Sequence, residues 1–253
     1  MANTVTKSDI QAGLTRAGIP PRAALLMHSS MKSFGCHVEG GAEGLLTAVM
    51  DYLTPEGTLI IPTLTLGGID EENPVFDVNN SPSRTGLVTE TFRKMPGVLR
   101  TRHVTSSFAV WGKNAKELAE HIYATPCPPD SPLGRLVEMD GYILFVGAGF
   151  GSNSMFHTAE EAVAPAYMRY RDLPSRIIDA DGSEFTYTFR RYDCYQTGIQ
   201  RHLGRMEAVF EERGVLTRTK VAESVFTMIR ARDNFNLCCE TLRERPEYIL
   251  NEK

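Results

Sequence analysis

The sequence predicts one α/β domain spanning residues 1–253, on three observations. Helical and strand periodicities alternate through the first 65 residues, as layered α/β folds require. The short apolar runs AALLMHSS, TLIIPT and GYILFVGAG have the length of buried strands rather than of helices. No repeat, low-complexity tract or linker divides the 253 residues, a length that one large domain fills.

Each element follows from local chemistry. From Ser8 to Ala17, Ile10, Leu14 and Ala17 recur at helical spacing. Residues 23–30 read as a strand ending in a polar turn, 42–53 as a helix stopped by Thr54, Pro55 and Gly57, and 58–63 as a second buried strand. Residues 66–83 are crowded with turn formers and carboxylates, which predicts a long surface loop. A helix over 85–94, a strand over 108–112 and an amphipathic helix over 113–123 come next. Pro126, Pro128, Pro129 and Pro132 predict an irregular stretch before a strand over 141–149. Helical spacing covers 155–163, and an Asp-Gly turn between two alternating runs predicts a hairpin over 176–189. Beyond it the pattern reads as a helical C-terminal region, over 194–213 and 219–243.

Composition narrows the function. A net charge of −4 lacks the concentrated basic surface that nucleic acid demands, so no nucleic-acid partner is expected. No apolar run approaches the roughly 20 residues of a bilayer span, and the N-terminal stretch lacks the basic and apolar regions of a signal peptide. No membrane partner is expected, and a cytoplasmic location is. The five cysteines, Cys36, Cys127, Cys194, Cys238 and Cys239, are odd in number and include no CxxC pair, as reduced cytosolic thiols would.

Four stretches carry candidate chemistry. MHSSMKSFG places His28, Ser29, Ser30, Met31 and Ser33 at the C-terminal end of a strand, where open α/β sheets bind ligands; a plain polar turn reads equally well. In SPSRTG, Ser83 is placed to cap the following helix, with Arg84 beside the free N–H groups facing an anion, or the capping stands alone. RTRHVTSSFAVWG alternates Arg100, Arg102 and His103 with hydroxyl residues as far as Ser107, either a basic face or a solvated strand entry. FVGAGFGSNSMFHTAEEAVA lacks the glycine order of a dinucleotide site. On a helix, however, it sets His157 beside Glu160 at i+3 and Glu161 at i+4, a spacing that suits a general base with an orienting carboxylate and equally an exposed ion pair. No HExxH, HxH or CxxC spacing supports a metal, and none is expected.

Taken together, MHSSMKSFG with GGAEGLLTAVMDYLTPEGTLIIPT, FDVNNSPSRTGLVTETFRKMPGVLRTRHVTSSFAVWG, DSPLGRL and VGAGFGSNSMFHTAEEAVA resemble the aminoglycoside 3-N-acetyltransferase family, the antibiotic N-acetyltransferases. The resemblance runs from about residue 25 to 170. It implies a central mixed sheet flanked by helices, and acetyl transfer from acetyl-CoA to the 3-amino group of the 2-deoxystreptamine ring of aminoglycoside antibiotics, the chemistry of antibiotic resistance. Position by position it implies that His28, Ser29, Ser30 and Met31 line the pantetheine arm. Ser83, Arg84, Arg102, His103 and Ser107 would lie towards the rest of the CoA. His157 would be the base and Glu160 its carboxylate. The chain departs from the family pattern at His103-Val104, where relatives read His-Pro, and at Ser106, where many carry His.

These roles describe direct transfer without an acetyl-enzyme, with oxyanion donors around Ser29 to Met31 and Ser107. The acceptor is an aminoglycoside or other polyamine, so its site should be acidic. Asp70, Glu72, Asp77, Asp130, Glu161 and Asp193 are the candidate carboxylates, together with Glu71. The rival readings are an acyl-CoA-dependent N-acyltransferase for another amine, a Cys36 acyl carrier, and a non-catalytic CoA- or aminoglycoside-binding protein. A monomer or homodimer is expected.

Overall fold

The computed structural model describes residues 4–193 and 199–251. In chain order these form β1 (Thr4–Val5), α1 (Lys7–Arg16), β2 (Ala24–Ser29), β3 (His37–Val38), α2 (Gly41–Leu53), β4 (Thr58–Pro62) and β5 (Val75–Asp77). Then come α3 (Leu87–Phe92), β6 (Leu99–Arg100), β7 (Phe108–Gly112), α4 (Ala115–Glu120), α5 (Pro132–Glu138), β8 (Tyr142–Val146) and α6 (Met155–Val163). The hairpin β9 (Tyr170–Ile178) and β10 (Glu184–Tyr192) precedes α7 (Met206–Glu212), β11 (Thr217–Val221), β12 (Ser224–Arg230) and α8 (Ala231–Glu244).

Alternation along the apolar strands sends neighbouring side chains into opposite cores. Leu25 and Met27 of β2, with Leu144 and Val146 of β8, face Ile10 and Leu14 of α1 and Leu45, Leu46 and Val49 of α2. Leu26, Ile143 and Phe145 face the other way, towards Met155, Phe156 and Ala159 of α6 and Leu237 and Leu242 of α8. Each fully buried Leu, Ile, Val, Phe or Met side chain among them contributes about 1.5–3 kcal/mol, so the two layers fix the sheet from both sides. A capping box locks the first helix: Thr6 N–H donates to Asp9 Oδ2 at 2.9 Å, and Asp9 N–H donates to Thr6 Oγ1 at 3.3 Å.

The central sheet has seven strands in the order β11-β12-β8-β2-β4-β7-β6. It is mixed: β2 runs parallel to β4 and β8, while β7, β6, β12 and β11 pair antiparallel to their neighbours. The three parallel strands therefore end on one edge, and there the chain reaches Ser29, Thr63 and Gly147. Beside this sheet, β10-β9-β5 form a smaller one over a separate cluster of Ile69, Phe76, Val104, Leu173, Ile177 and Phe189.

Several predicted elements are corrected. The 66–83 segment is not loop throughout, because Val75–Asp77 pairs in parallel with β9. Pro132 does not prolong the irregular stretch; it occupies the first turn of α5, where its missing N–H costs nothing. The predicted 113–123 helix closes at Glu120. The helix expected from residue 85 starts at Leu87 with Gly86 as its N-cap, so Ser83 is not the cap. The helical C-terminal region is overturned in part: residues 217–230 are the antiparallel pair β11 and β12, and β12 extends the central sheet beside β8. Cys194 and the start of the 194–213 helix lie outside the described residues. Cys36, Cys127, Cys238 and Cys239 are free thiols.

Candidate active site

The glycine-rich turn after β8 has a steric purpose. Gly147 sits at φ +60, and a Cβ there would come within 1.9 Å of Ser33 Oγ. Ser33 in turn donates to the Ser30 carbonyl at 2.6 Å and lies 2.7 Å from Ser224 Oγ, which ties the turn after β2 to β12. The chain then makes one tight turn over 150–152 and enters α6, whose face of Met155, Phe156 and Ala159 is buried against the core. That anchoring holds His157 at the sheet edge.

The imidazole rests on a fully buried carboxylate. His157 Nδ1 lies 2.6 Å from Glu160 Oε2, the i+3 partner on the same helix. Arg201 Nη1 donates to the same oxygen at 2.9 Å, and the Tyr167 hydroxyl donates to Oε1 at 2.7 Å. Burial drives the Glu160 pKa up, yet the hydrogen bond and charge of His157, with Arg201 and Tyr167, outweigh it and hold the carboxyl below its ordinary value. A carboxylate bonded at Nδ1 selects the tautomer whose Nε2 carries the free lone pair. Glu161 does other work. It accepts from the Thr125 hydroxyl, from Cys127 N–H at 2.7 Å and from the Tyr192 hydroxyl at 2.6 Å, and burial raises its pKa despite those bonds.

His157 is a wall of two adjoining cavities, sharing that place with Leu64 and Ser154. One opens along the ends of the parallel strands, past Met27, His28, Ser29, Pro62, Thr85, Thr89 and Ser152. The other runs under the hairpin, past Leu66, Thr105, Ser106, Phe108, Arg191, Tyr192 and Arg201. Counting the solvent at their mouths, they span about 760 and 770 Å³. In the first cavity His28 stacks on Phe145 at 5.1 Å, its Nε2 is buried without a partner, and burial pushes its pKa down to about 3.

The remaining candidates are dispersed. Ser30 N–H donates to the Val146 carbonyl at 2.9 Å, and Met31 is half-buried against the α1–α2 core. Ser83 N–H is bonded to Glu90, and its hydroxyl is 2.7 Å from that of Thr89 on the cavity wall. Arg84 is exposed, next in the chain to the cavity residue Thr85, its N–H on the Leu64 carbonyl at 2.8 Å. Arg102, His103 and Ser107 turn inward: Arg102 pairs with Asp179 at 2.7 Å, and His103 stacks on Tyr123 and meets Phe189 edge-on, with its pKa lowered by burial to about 4. Ser107 donates to the Thr63 carbonyl and accepts from the buried Arg100 at 3.0 Å. Cys36 packs against the α1–α2 core and lines neither cavity.

None of the acidic candidates lines the hairpin cavity. Asp70 and Asp77 accept N–H groups of their own turns, at 2.9 Å from Asn73 and from Asn79. Glu72 is exposed. Asp130 lies in a separate cleft, 2.8 Å from His121, and Asp193 pairs with Arg171 at 3.2 Å. The sequence reading also missed Tyr167, Arg191, Tyr192 and Arg201, because no local spacing relates them to His157.

Fold and site define an α/β protein with a carboxylate-backed imidazole between two adjoining cavities. The chain belongs to the aminoglycoside 3-N-acetyltransferase family, whose model matches residues 26–243. The aminoglycoside N(3')-acetyltransferase-like protein YokD of Bacillus subtilis is 33% identical over 176 residues, 61% of this chain and 64% of the relative's length. Aminoglycoside N(3)-acetyltransferase VII of Streptomyces paromomycinus is 30% identical over 207 residues, 75% of this chain and 71% of that one. Among solved structures, the apoenzyme of the aminoglycoside acetyltransferase AAC(3)-IVa superposes with a TM-score of 0.83 at 28% identity, covering 100% of this chain and 93% of the other. A mutant of AAC(3)-IVa has also been solved in complex with a gentamicin.

Proposed function

We propose that the protein is an acetyl-CoA-dependent N-acetyltransferase that works by direct transfer, with His157 as general base. The observation that carries this reading is the placement of His157, backed by Glu160 and shared by the walls of both cavities. Family membership makes the 3-amino group of an aminoglycoside the first acceptor to test.

The cavity along the strand ends suits the pantetheine arm. Its apolar wall of Met27, Pro62 and Ala148 alternates with hydroxyls of Ser29, Thr85, Thr89 and Ser152. Arg84, exposed beside Thr85 of that wall, would meet the phosphates. Acetyl-CoA supplies a thioester carbonyl that accepts the amine's electron pair as C–N forms and C–S breaks, the sulfur leaving with the bond's electrons. In the hairpin cavity an acceptor amine reaches His157 Nε2, which takes its proton as the nitrogen attacks. Glu160 stabilises the imidazolium so formed, and Arg201 and Tyr167 keep that carboxylate ionised and oriented. The departing sulfur takes up the proton, returning the imidazole to its starting tautomer. Because one imidazole serves both cavities, no acetyl-enzyme is needed.

A thiol-release assay with acetyl-CoA and gentamicin-like, neomycin-like and unrelated amines tests the reading. Silence with every amine would reject it.

A further inference from the structure

The hairpin cavity carries the wrong charge for a polycation. Its charged walls besides His157 are two guanidinium groups, Arg191 and Arg201, and no carboxylate lines it among the described residues. The carboxylates that partner the arginines stand elsewhere: Glu160 is fully buried, and Glu71 is a half-exposed residue outside the wall.

Arg191 is only partly engaged. Glu71 takes both of its bonds from a single nitrogen, Nη2, at 2.9 and 3.0 Å, and the buried Nε donates to no group. A guanidinium at a cavity wall, bonded to its carboxylate through one nitrogen only, favours an oxyanion there and disfavours a second cation. Leu64, Leu66 and Tyr192 add apolar surface beside the hydroxyls of Thr105, Ser106 and Ser154. Leu66 is 56% exposed and sits at φ +38, a conformation leucine rarely adopts, so an apolar side chain is held over the cavity at a backbone cost.

Resting on the acetyl-transfer reading above, we propose that the natural acceptor is a primary amine bearing an anionic group, carboxylate or phosphate, on an apolar body. Arg191 holds the anion, and the amine reaches His157 Nε2. Aminoglycosides, which carry several cations and no anion, are then poor substrates.

The test compares three acceptor series of three to six carbons: ω-aminocarboxylates, ω-aminoalkyl phosphates and plain alkylamines, with gentamicin alongside. Thiol release from acetyl-CoA should show kcat/KM at least tenfold higher for an anionic amine than for the alkylamine of equal length, and higher than for gentamicin. Arg191→Gln should reduce that preference below twofold through KM, while Arg191→Lys keeps it and Arg191→Glu shifts preference towards gentamicin. The better of the two anionic series identifies the anion. Gentamicin outrunning both series, or an undiminished preference in a folded R191Q, overturns the proposal. Calorimetric binding of the same amines to the CoA-loaded protein separates the two claims. If no amine releases thiol the transfer reading fails, whereas the order of binding upholds or rejects the anion on its own.

Discussion

Glu160→Gln isolates what the buried carboxylate does. The amide can keep its oxygen towards His157 and Arg201 and turn its NH2 to the Tyr167 hydroxyl, so shape survives and charge is lost. With Nδ1 and Oε2 2.6 Å apart, the charge centres of imidazolium and carboxylate lie about 4 Å apart. Such a pair is worth about 4 kcal/mol at an effective dielectric of 20. The imidazolium formed during proton transfer would lose that support, lowering kcat by about 1,000-fold. Stability should fall as well, by about 3–5 kcal/mol, because Arg201, whose side chain is 3% exposed, loses the carboxylate it faces. Steady-state thiol release and urea denaturation read the two effects separately, with calorimetry expected to show CoA still bound. Adding Arg201→Met should recover most of the stability and none of the turnover. A kcat within threefold of wild type in folded E160Q would refute the general-base account.

Three further outcomes are expected. His157→Ala should bind CoA normally and lose turnover by about 100- to 10,000-fold; near-normal turnover would move the base elsewhere. Buried His28 and His103 have folded pKa values of about 3 and 4, below the 6.5 of the unfolded chain. Their contribution is therefore complete above pH 6.5 and lost as the pH falls, about 2 kcal/mol each at pH 5. Denaturation at pH 7.5 and pH 5 should differ by about 4 kcal/mol. Glu160 adds to that loss only below its unfolded value of 4.5, and Glu161, shifted upward, opposes it. Gly147→Ala forces a Cβ against Ser33 at positive φ, and should cost about 3 kcal/mol in the same experiment.

The central strands were legible in the sequence because a strand covered on both faces is a continuous apolar run, and Leu25–Met27, Leu59–Ile61 and Ile143–Val146 are such runs. Strand β11 was not, since it is an edge strand whose residues Thr217, Arg218 and Lys220 are exposed and polar. Its turn into β12 was equally silent: Ala222 takes φ +52 with no glycine, proline or asparagine to announce it. At the site, His157 and Glu160 could be paired because helical spacing is local. Glu161 at i+4 shares the helix face of His157 as well, yet the backbone of Cys127 and the hydroxyls of Thr125 and Tyr192 draw that carboxylate away. Arg201 reaches Glu160 from 41 residues further along the chain, a contact only the fold can make.

The hairpin that brings Arg191 and Tyr192 to the cavity beneath it rests partly on its own apolar cluster, apart from the two cores that clamp the seven-stranded sheet. Changes at its cavity-facing positions can thus retune which amine is admitted while the strand ends and the His157–Glu160 pair stay in register. Selection for new acceptors within this architecture would then fall first on β9 and β10, and a library confined to that hairpin should change substrate preference at little expense in stability.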